Sequence, residues 1–341
     1  MDSDAPALFW FRDDLRLADN PGLTAACEAG KPLILLYILD DSGDGTRPPG
    51  GAARWWLHHS LKSLSADLAK AGQTLVLQQG KARDIVPELV RRTGAREIFW
   101  NRRYGHAGDL DADIERALGK ENCDTRTFAA NHLFEPGTIR SAGDRSFRVF
   151  TAFWRAAARM EHGIRAAIAA PRTIPPPPPD IAGAPIEDLD LLPTAPDWAG
   201  GLREAWQPGE SAVRERLRAF VAGSVADYAE RRDFPADSVT SRLSPHLRFG
   251  EISPAQIWQA LAGDDSAEKF RSELGWREFA WHVLDEQPDL ATANLTADFD
   301  AFPWAAPDES LLHAWQRGLT GYPIVDAGMR QLWRTGWMHN R

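Results

Sequence analysis

A-L-F-W-F at residues 7–11, P-L-I-L-L-Y-I-L at 32–39, T-L-V-L-Q-Q at 74–79, E-I-F-W at 97–100 and T-R-T-F-A at 125–129 are short apolar runs of strand length. Between them, residues 21–29, 52–71, 82–92 and 107–118 carry apolar side chains at helical spacing. Strict alternation of strand and helix predicts a doubly wound, parallel, five-stranded sheet with right-handed crossovers and helices on both faces. The loop after the first run, R-D-D-L-R-L-A-D-N-P at 12–21, contains no G-x-G-x-x-G, which argues against a dinucleotide bound there in the usual Rossmann manner. Arg12, Asp14, Arg16 and Asp19 in that loop are spaced to exchange charge-assisted hydrogen bonds that fix the sheet against its neighbours.

Outward from this α/β domain, taken as 1–130, the pattern changes. Residues 131–200 hold one helical pattern, 150–169, followed by five prolines at 175–179, which fit neither helix nor sheet interior and predict an extended connector wrapped across a domain surface. From 201 to 341 the strand-like alternation is gone. Apolar residues recur at helical spacing in 212–220, 254–261 and 272–284, so this domain is expected to be all-helical.

Composition narrows the function. A net charge of −9 opposes generic nucleic-acid binding, although 241–250 carries Arg242 and Arg248, and 331–341 carries Arg334 and Arg341, without an acid. The two cysteines, Cys27 and Cys123, lack metal or disulfide spacing, and no metal site is expected. No run approaches the roughly 18 apolar residues of a membrane span, and M-D-S-D-A-P is no secretory signal. A cytoplasmic protein without membrane association is expected. Of 14 tryptophans, eight follow residue 200, and a large helical core is their simplest explanation.

Three motifs carry chemistry. T-S-R-L-S at 240–244 places three hydroxyls and Arg242 in a turn ahead of a helix expected near Pro254, a donor set suited to a diphosphate and equally to a helix cap. S-E-L-G-W-R-E-F at 272–279 sets Glu273, Trp276 and Arg277 on neighbouring helical positions; a Glu273–Arg277 ion pair with a core indole is the alternative. The third is T-G-Y-P-I-V-D-A-G-M-R-Q-L-W-R-T-G-W-M-H-N-R at 320–341.

Together, and with F-W-F-R-D-D-L-R-L-A-D-N-P-G-L at 9–23, these motifs resemble the DNA photolyase and cryptochrome family, most of all the class I cyclobutane pyrimidine dimer photolyases. The resemblance implies that the helical domain binds FAD, with Thr240, Ser241, Arg242, Leu243 and Ser244 around its pyrophosphate. It further implies that Tyr228 and Phe270 lie beside the cofactor. Glu273, Trp276, Arg277 and Asn340 would meet the pyrimidine dimer and the flavin, with Asn340 favouring the cyclobutane class, while Arg232 and Arg341 would contact DNA phosphate. Trp304 resembles one member of the family's electron-transfer tryptophans. N-R-R-Y-G-H-A-G-D at 101–109 lacks the Asn-Glu of folate-binding members, leaving folate, deazaflavin or nothing as the antenna. Family members continue well past the third motif, so the FAD domain is expected to be incomplete.

The implied activity is light-driven repair of damaged DNA by a reduced flavin, FADH−, in a monomer with no obligate protein partner. Two alternatives stand beside it: a cryptochrome-like blue-light receptor without repair, and an inactive fragment with exposed apolar helix surfaces that cannot hold FAD.

Overall fold

The computed structural model describes residues 5–43, 47–160 and 163–340. Five parallel strands, β1 Ala7–Phe11, β2 Leu33–Leu39, β3 Leu75–Gln79, β4 Glu97–Asn101 and β5 Asp124–Phe128, form one sheet in the order β3-β2-β1-β4-β5. Helices α1 Pro21–Glu28, α2 Gly51–Lys70, α3 Ala82–Thr93 and α4 His106–Lys120 connect them. Every residue of β1 and β2 is buried, because helices cover both faces of the sheet. Side chains alternate as the pleat requires: Phe9, Phe11, Leu33 and Leu35 enter one core, while Leu8, Trp10, Ile34 and Leu36 enter the other. The strand order reverses between β1 and β4, so the loops leaving these two strands diverge and open a crevice.

The remainder is helical: α5 Phe150–Ala158, α6 Gly200–Ala205, α7 Glu210–Gly223, α8 Tyr228–Arg231, α9 Ser244–Arg248, α10 Pro254–Ala260, α11 Glu268–Glu286, α12 Glu309–Arg317 and α13 Pro323–Thr335. Val213, Leu217 and Phe220 of α7 pack with Ile257 of α10 and with Phe270 and Leu274 of α11 in a separate core. At the start of α10, Ser253 and Gln256 form a reciprocal capping box, with Pro254 in the first helical turn.

The helix expected over 150–169 ends at Ala158, and residues 165–170 are not helical. A distant contact overrides the local pattern. Asp19 N–H donates to the Ile168 carbonyl at 2.8 Å, Ile168 N–H donates to Asp19 Oδ1 at 3.0 Å, and Arg165 Nη2 donates to Asp19 Oδ2 at 2.9 Å. The proline tract runs along the sheet, where Leu33 N–H donates to the Pro176 carbonyl at 3.0 Å and Ala184 N–H to that of Leu77 at 2.9 Å.

The 12–20 loop joins the two halves as its charges suggested. Fully buried Arg16 donates to the Gly250 carbonyl at 2.9 Å and to Asn131 Oδ1 at 3.0 Å, and Leu17 and Ala18 N–H donate to the Glu210 carboxylate. Burial lowers the pKa of Arg16, opposed by Asp14 and Asp19.

Two expectations about surface composition need correction. The arginines read as a free basic face are partly paired: Arg248 with Asp13 at 2.6 Å and Arg334 with Glu204 at 2.6 Å. The late tryptophans are not mainly core, since Trp276, Trp304, Trp315 and Trp333 are exposed. With Leu311, Ile324 and Leu332 they leave large apolar surface on and around α12 and α13. No described helix is long and apolar enough to cross a membrane, and no cluster of metal-ligating residues occurs among the described residues.

Candidate functional site

A cavity of about 1030 Å³ opens where the sheet's crevice meets the helical half. Asp13 after β1 and Arg102, Arg103, Tyr104 and His106 after β4 form one wall; α9 and the turn before it form another; α11 and residues 336–340 close it. The volume lies at the upper end of the roughly 300–1,000 Å³ of small-molecule and cofactor sites.

Thr240, Ser241, Arg242, Leu243 and Ser244 all line it. The helix expected near Pro254 begins there as α10, and a further short helix, α9, begins at Ser244 itself. Arg242 adopts φ +52°, a left-handed turn that sets its guanidinium 5.0 Å from the ring centre of Trp337. Leu243 is buried and anchors the turn from beneath. Tyr228 and Phe270 also line the cavity, with ring centroids 5.1 Å apart.

Along α11 the cavity face is the stripe Phe270, Glu273, Leu274, Arg277, Trp281 and Leu284. Glu273 is paired with Arg232 of the adjacent turn and lies 3.9 Å from Lys269, while Arg277 donates to Glu278 Oε1 at 2.8 Å. The alternative Glu273–Arg277 pair is therefore absent among the described contacts. Burial would lower the Arg232 pKa, but its bonds to Glu273 and the nearby Tyr228 raise it above the usual value. The guanidinium therefore stays ionised at neutral pH.

Asn340 lies in the wall and is exposed. Two expected members are elsewhere. Trp276 does not line the cavity; at 3.6 residues per turn it falls about a third of a turn from the centre of the α11 stripe. It stacks on Phe150, with centroids 3.8 Å apart, and remains 47% exposed. Trp304 is 69% exposed, beside Phe302, with its indole N–H 3.4 Å from the Phe299 carbonyl. It follows a short turn, Ala297–Ala301, that has no buried residue to fix it against the cavity. Arg341 lies outside the described residues.

Sequence reasoning missed a buried cluster beside the cavity. Glu278 accepts from Leu133 N–H at 3.0 Å and from Arg277, with the His132 ring nitrogen 3.6 Å away. His132 packs between Tyr104 and Trp281, with ring centroids 5.0 and 5.1 Å away. Burial would raise the Glu278 pKa, but His132, Arg277 and the Phe134 N–H outweigh it and hold the carboxylate below its usual range. Burial lowers the His132 pKa, which Glu278 only partly offsets. Glu278 was visible as the seventh residue of the S-E-L-G-W-R-E-F run, but its partner lies far away in sequence.

Chemically, the wall offers hydroxyl and guanidinium donors for a diphosphate, aromatic side chains for a flat ring, and a carboxylate and an amide, those of Glu273 and Asn340. The family description "DNA photolyase" matches residues 7–178, and "FAD binding domain of DNA photolyase" matches 270–341. The chain is 44% identical to a deoxyribodipyrimidine photo-lyase of Agrobacterium fabrum over 99% of its own length and 71% of that protein. It is 34% identical to Cryptochrome-1 of Arabidopsis thaliana over 98% of its length and 51% of that protein. A solved bacterial class III photolyase from Agrobacterium tumefaciens superposes with a TM-score of 0.94 at 43% identity, covering 99% of this chain and 70% of that one. A class III photolyase so similar to this chain supports the family and not class I in particular.

Proposed function

The chain belongs to the DNA photolyase and cryptochrome family, and from that premise we propose that it repairs cyclobutane pyrimidine dimers in DNA, driven by light and dependent on FAD. The observation that carries this reading is one cavity whose wall combines the hydroxyls of Thr240, Ser241 and Ser244 with Arg242 on one side and Glu273, Arg277 and Asn340 on another. Those donors and that volume fit an adenine dinucleotide.

When bound, FADH− would supply light-driven one-electron chemistry, the electron passing to the dimer and returning once the ring has opened, with no net oxidation. The chain's part is placement and electrostatics. Thr240, Ser241, Arg242, Leu243 and Ser244 would hold the pyrophosphate, and Tyr228 and Phe270 would line the rest of the cofactor's site. Glu273, oriented by Arg232, receives the hydrogen bonds of the pyrimidine edge. Asn340 presents an amide that supports negative charge without releasing a proton. Arg277 and Arg341 would contact the DNA backbone, and Trp276 would meet bases outside the cavity. The protein works on damaged DNA as a monomer, with an antenna pigment as an accessory.

The test is incubation with FAD and ultraviolet-irradiated oligothymidylate. Dimer loss in the light but not in the dark supports the proposal. Equal retention of irradiated and intact oligonucleotide in a band shift, without dimer loss, would favour a signalling flavoprotein, a reading that the likeness to a plant cryptochrome keeps open.

A further inference from the structure

We propose that Glu278 is a positioning residue that holds the guanidinium of Arg277 in the cavity wall for a phosphate group. This deepens the function proposed above and rests on it. Arg277 lines the cavity, whereas Glu278 lies buried behind the wall. Adjacent side chains on a helix point about 100° apart and do not ordinarily face each other. Arg277 nevertheless donates from Nη1 to Glu278 Oε1 at 2.8 Å. The usual helical partner would be an acid four positions away, and Glu273 stands there, but it is paired with Arg232. The guanidinium is therefore drawn off its own helical direction toward its neighbour's carboxylate.

Glu278 is itself held from outside the helix. Its Oε2 accepts from Leu133 N–H at 3.0 Å and from Phe134 N–H at 3.3 Å, with a His132 ring nitrogen 3.6 Å away. Those amides belong to the segment that follows β5, so a contact between the two halves, and not α11 alone, sets where the guanidinium stands. One residue further on, Glu135 accepts from Arg102 Nε at 2.8 Å and from its Nη2 at 2.9 Å. Residues 132–135 thus bracket two cavity arginines, one directly and one through Glu278.

The two arginines differ in what they have left to offer. Arg102 donates to both oxygens of Glu135 and to the carbonyl and hydroxyl of Thr127. Arg277, with five N–H donors, makes one hydrogen bond among the described residues, and its side chain is 23% exposed. A planar fork held by a carboxylate, with donors to spare in a cavity, matches the paired oxygens of a phosphate. That phosphate belongs either to a bound dinucleotide or to the DNA backbone, and two titrations tell these apart.

The test is a double-mutant cycle of R277Q, E278Q and the two combined, read in two titrations: FAD by quenching of flavin fluorescence, and fluorescein-labelled, ultraviolet-irradiated oligothymidylate by anisotropy. Each is run below the thermal midpoint of the variant, and E278D takes the place of E278Q should the latter not fold. R277Q is expected to weaken at least one titration about tenfold or more, as for the loss of a hydrogen bond to a charged group. The titration that weakens identifies the phosphate. E278Q should weaken the same one, and the double variant should bind within about twofold of R277Q alone, because Glu278 acts through Arg277. A purely structural Glu278 would instead multiply the two losses, and that result overturns the proposal, as does unchanged binding of both ligands by either single variant. If the unmodified chain binds neither FAD nor irradiated oligothymidylate, the repair reading falls and this role with it; binding with an additive cycle removes this role alone.

Discussion

Gly250 shows what one residue contributes where the two halves meet. Its φ is +65°, and a Cβ there would collide with the backbone of Asp13 and Asp14, while its carbonyl accepts from Arg16. Gly250→Ala should therefore cost at least the roughly 1–2 kcal/mol of a left-handed L-residue, measured as a lowered urea midpoint. Nothing in R-F-G-E beyond the glycine itself announced that contact, because Asp13 is more than two hundred residues away. Within the site, Glu273 depends on Arg232, with Lys269 3.9 Å away as its other cation. Arg232→Ala should weaken binding of irradiated oligonucleotide by about 2 kcal/mol, as expected for truncating one member of a hydrogen-bonded charge pair. Equal affinities in a titration would sink that role. The residues of the 240–244 turn were legible as donors from their chemistry, whereas the placement of Trp276 was not: a helical face seen in sequence does not say which neighbour claims each side of it.

At the scale of elements, the join between α2 and α9 is a buried polar lock. Glu251 accepts from Trp56 Nε1 at 3.1 Å, from Gly209 N–H at 2.8 Å and from the Ser60 hydroxyl, and it contacts the His246 ring; both Glu251 and His246 are completely buried. Glu251→Ala should cost about 3–5 kcal/mol, because it strands several buried donors without an acceptor. Denaturant unfolding would show this as a lowered midpoint. The packing of α11 against the segment at 132–134 adds a pH dependence. His132 has a folded pKa below its ordinary 6.5, so on acidification the unfolded chain takes up a proton that the folded one refuses, and stability falls from that pH downward. Glu278, also depressed, gives stability that is present above its ordinary 4.5 and lost as pH falls further, through its folded pKa. The thermal midpoint should drop between neutral pH and pH 5, and His132→Gln should flatten that part of the curve.

β1, β2 and β4 were readable because burial leaves unbroken apolar runs, whereas the edge strand β5, Asp124–Phe128, expected to be buried, has no buried residue. The observed bounds of all five lie within a residue of those expected. The end of α5 was not, because it is fixed by Asp19, nearly 150 positions earlier.

For the whole molecule, Arg102, Arg103, Arg232, Arg242 and Arg277 reach the cavity from both halves, and all but Arg242 pair with carboxylates, so the wall is a network of ion pairs on an acidic chain. The sheet's crevice and the helical half each supply part of one wall, so the site is a property of their packing. The α/β pattern and the helical second half were legible in sequence, but the convergence of Arg102 with Arg277 was not, since it depends on how the halves dock. Around α12 and α13 the molecule exposes Leu311, Ile324, Leu332 and an 88% exposed Trp333, an apolar area of the kind that marks an interface. The measurement that bears most directly on the whole account is titration of the chain with FAD, followed by quenching of flavin fluorescence. Saturable one-to-one binding, weakened by Arg242→Glu, is the predicted result; flavin fluorescence that stays unquenched at saturating protein would contradict it.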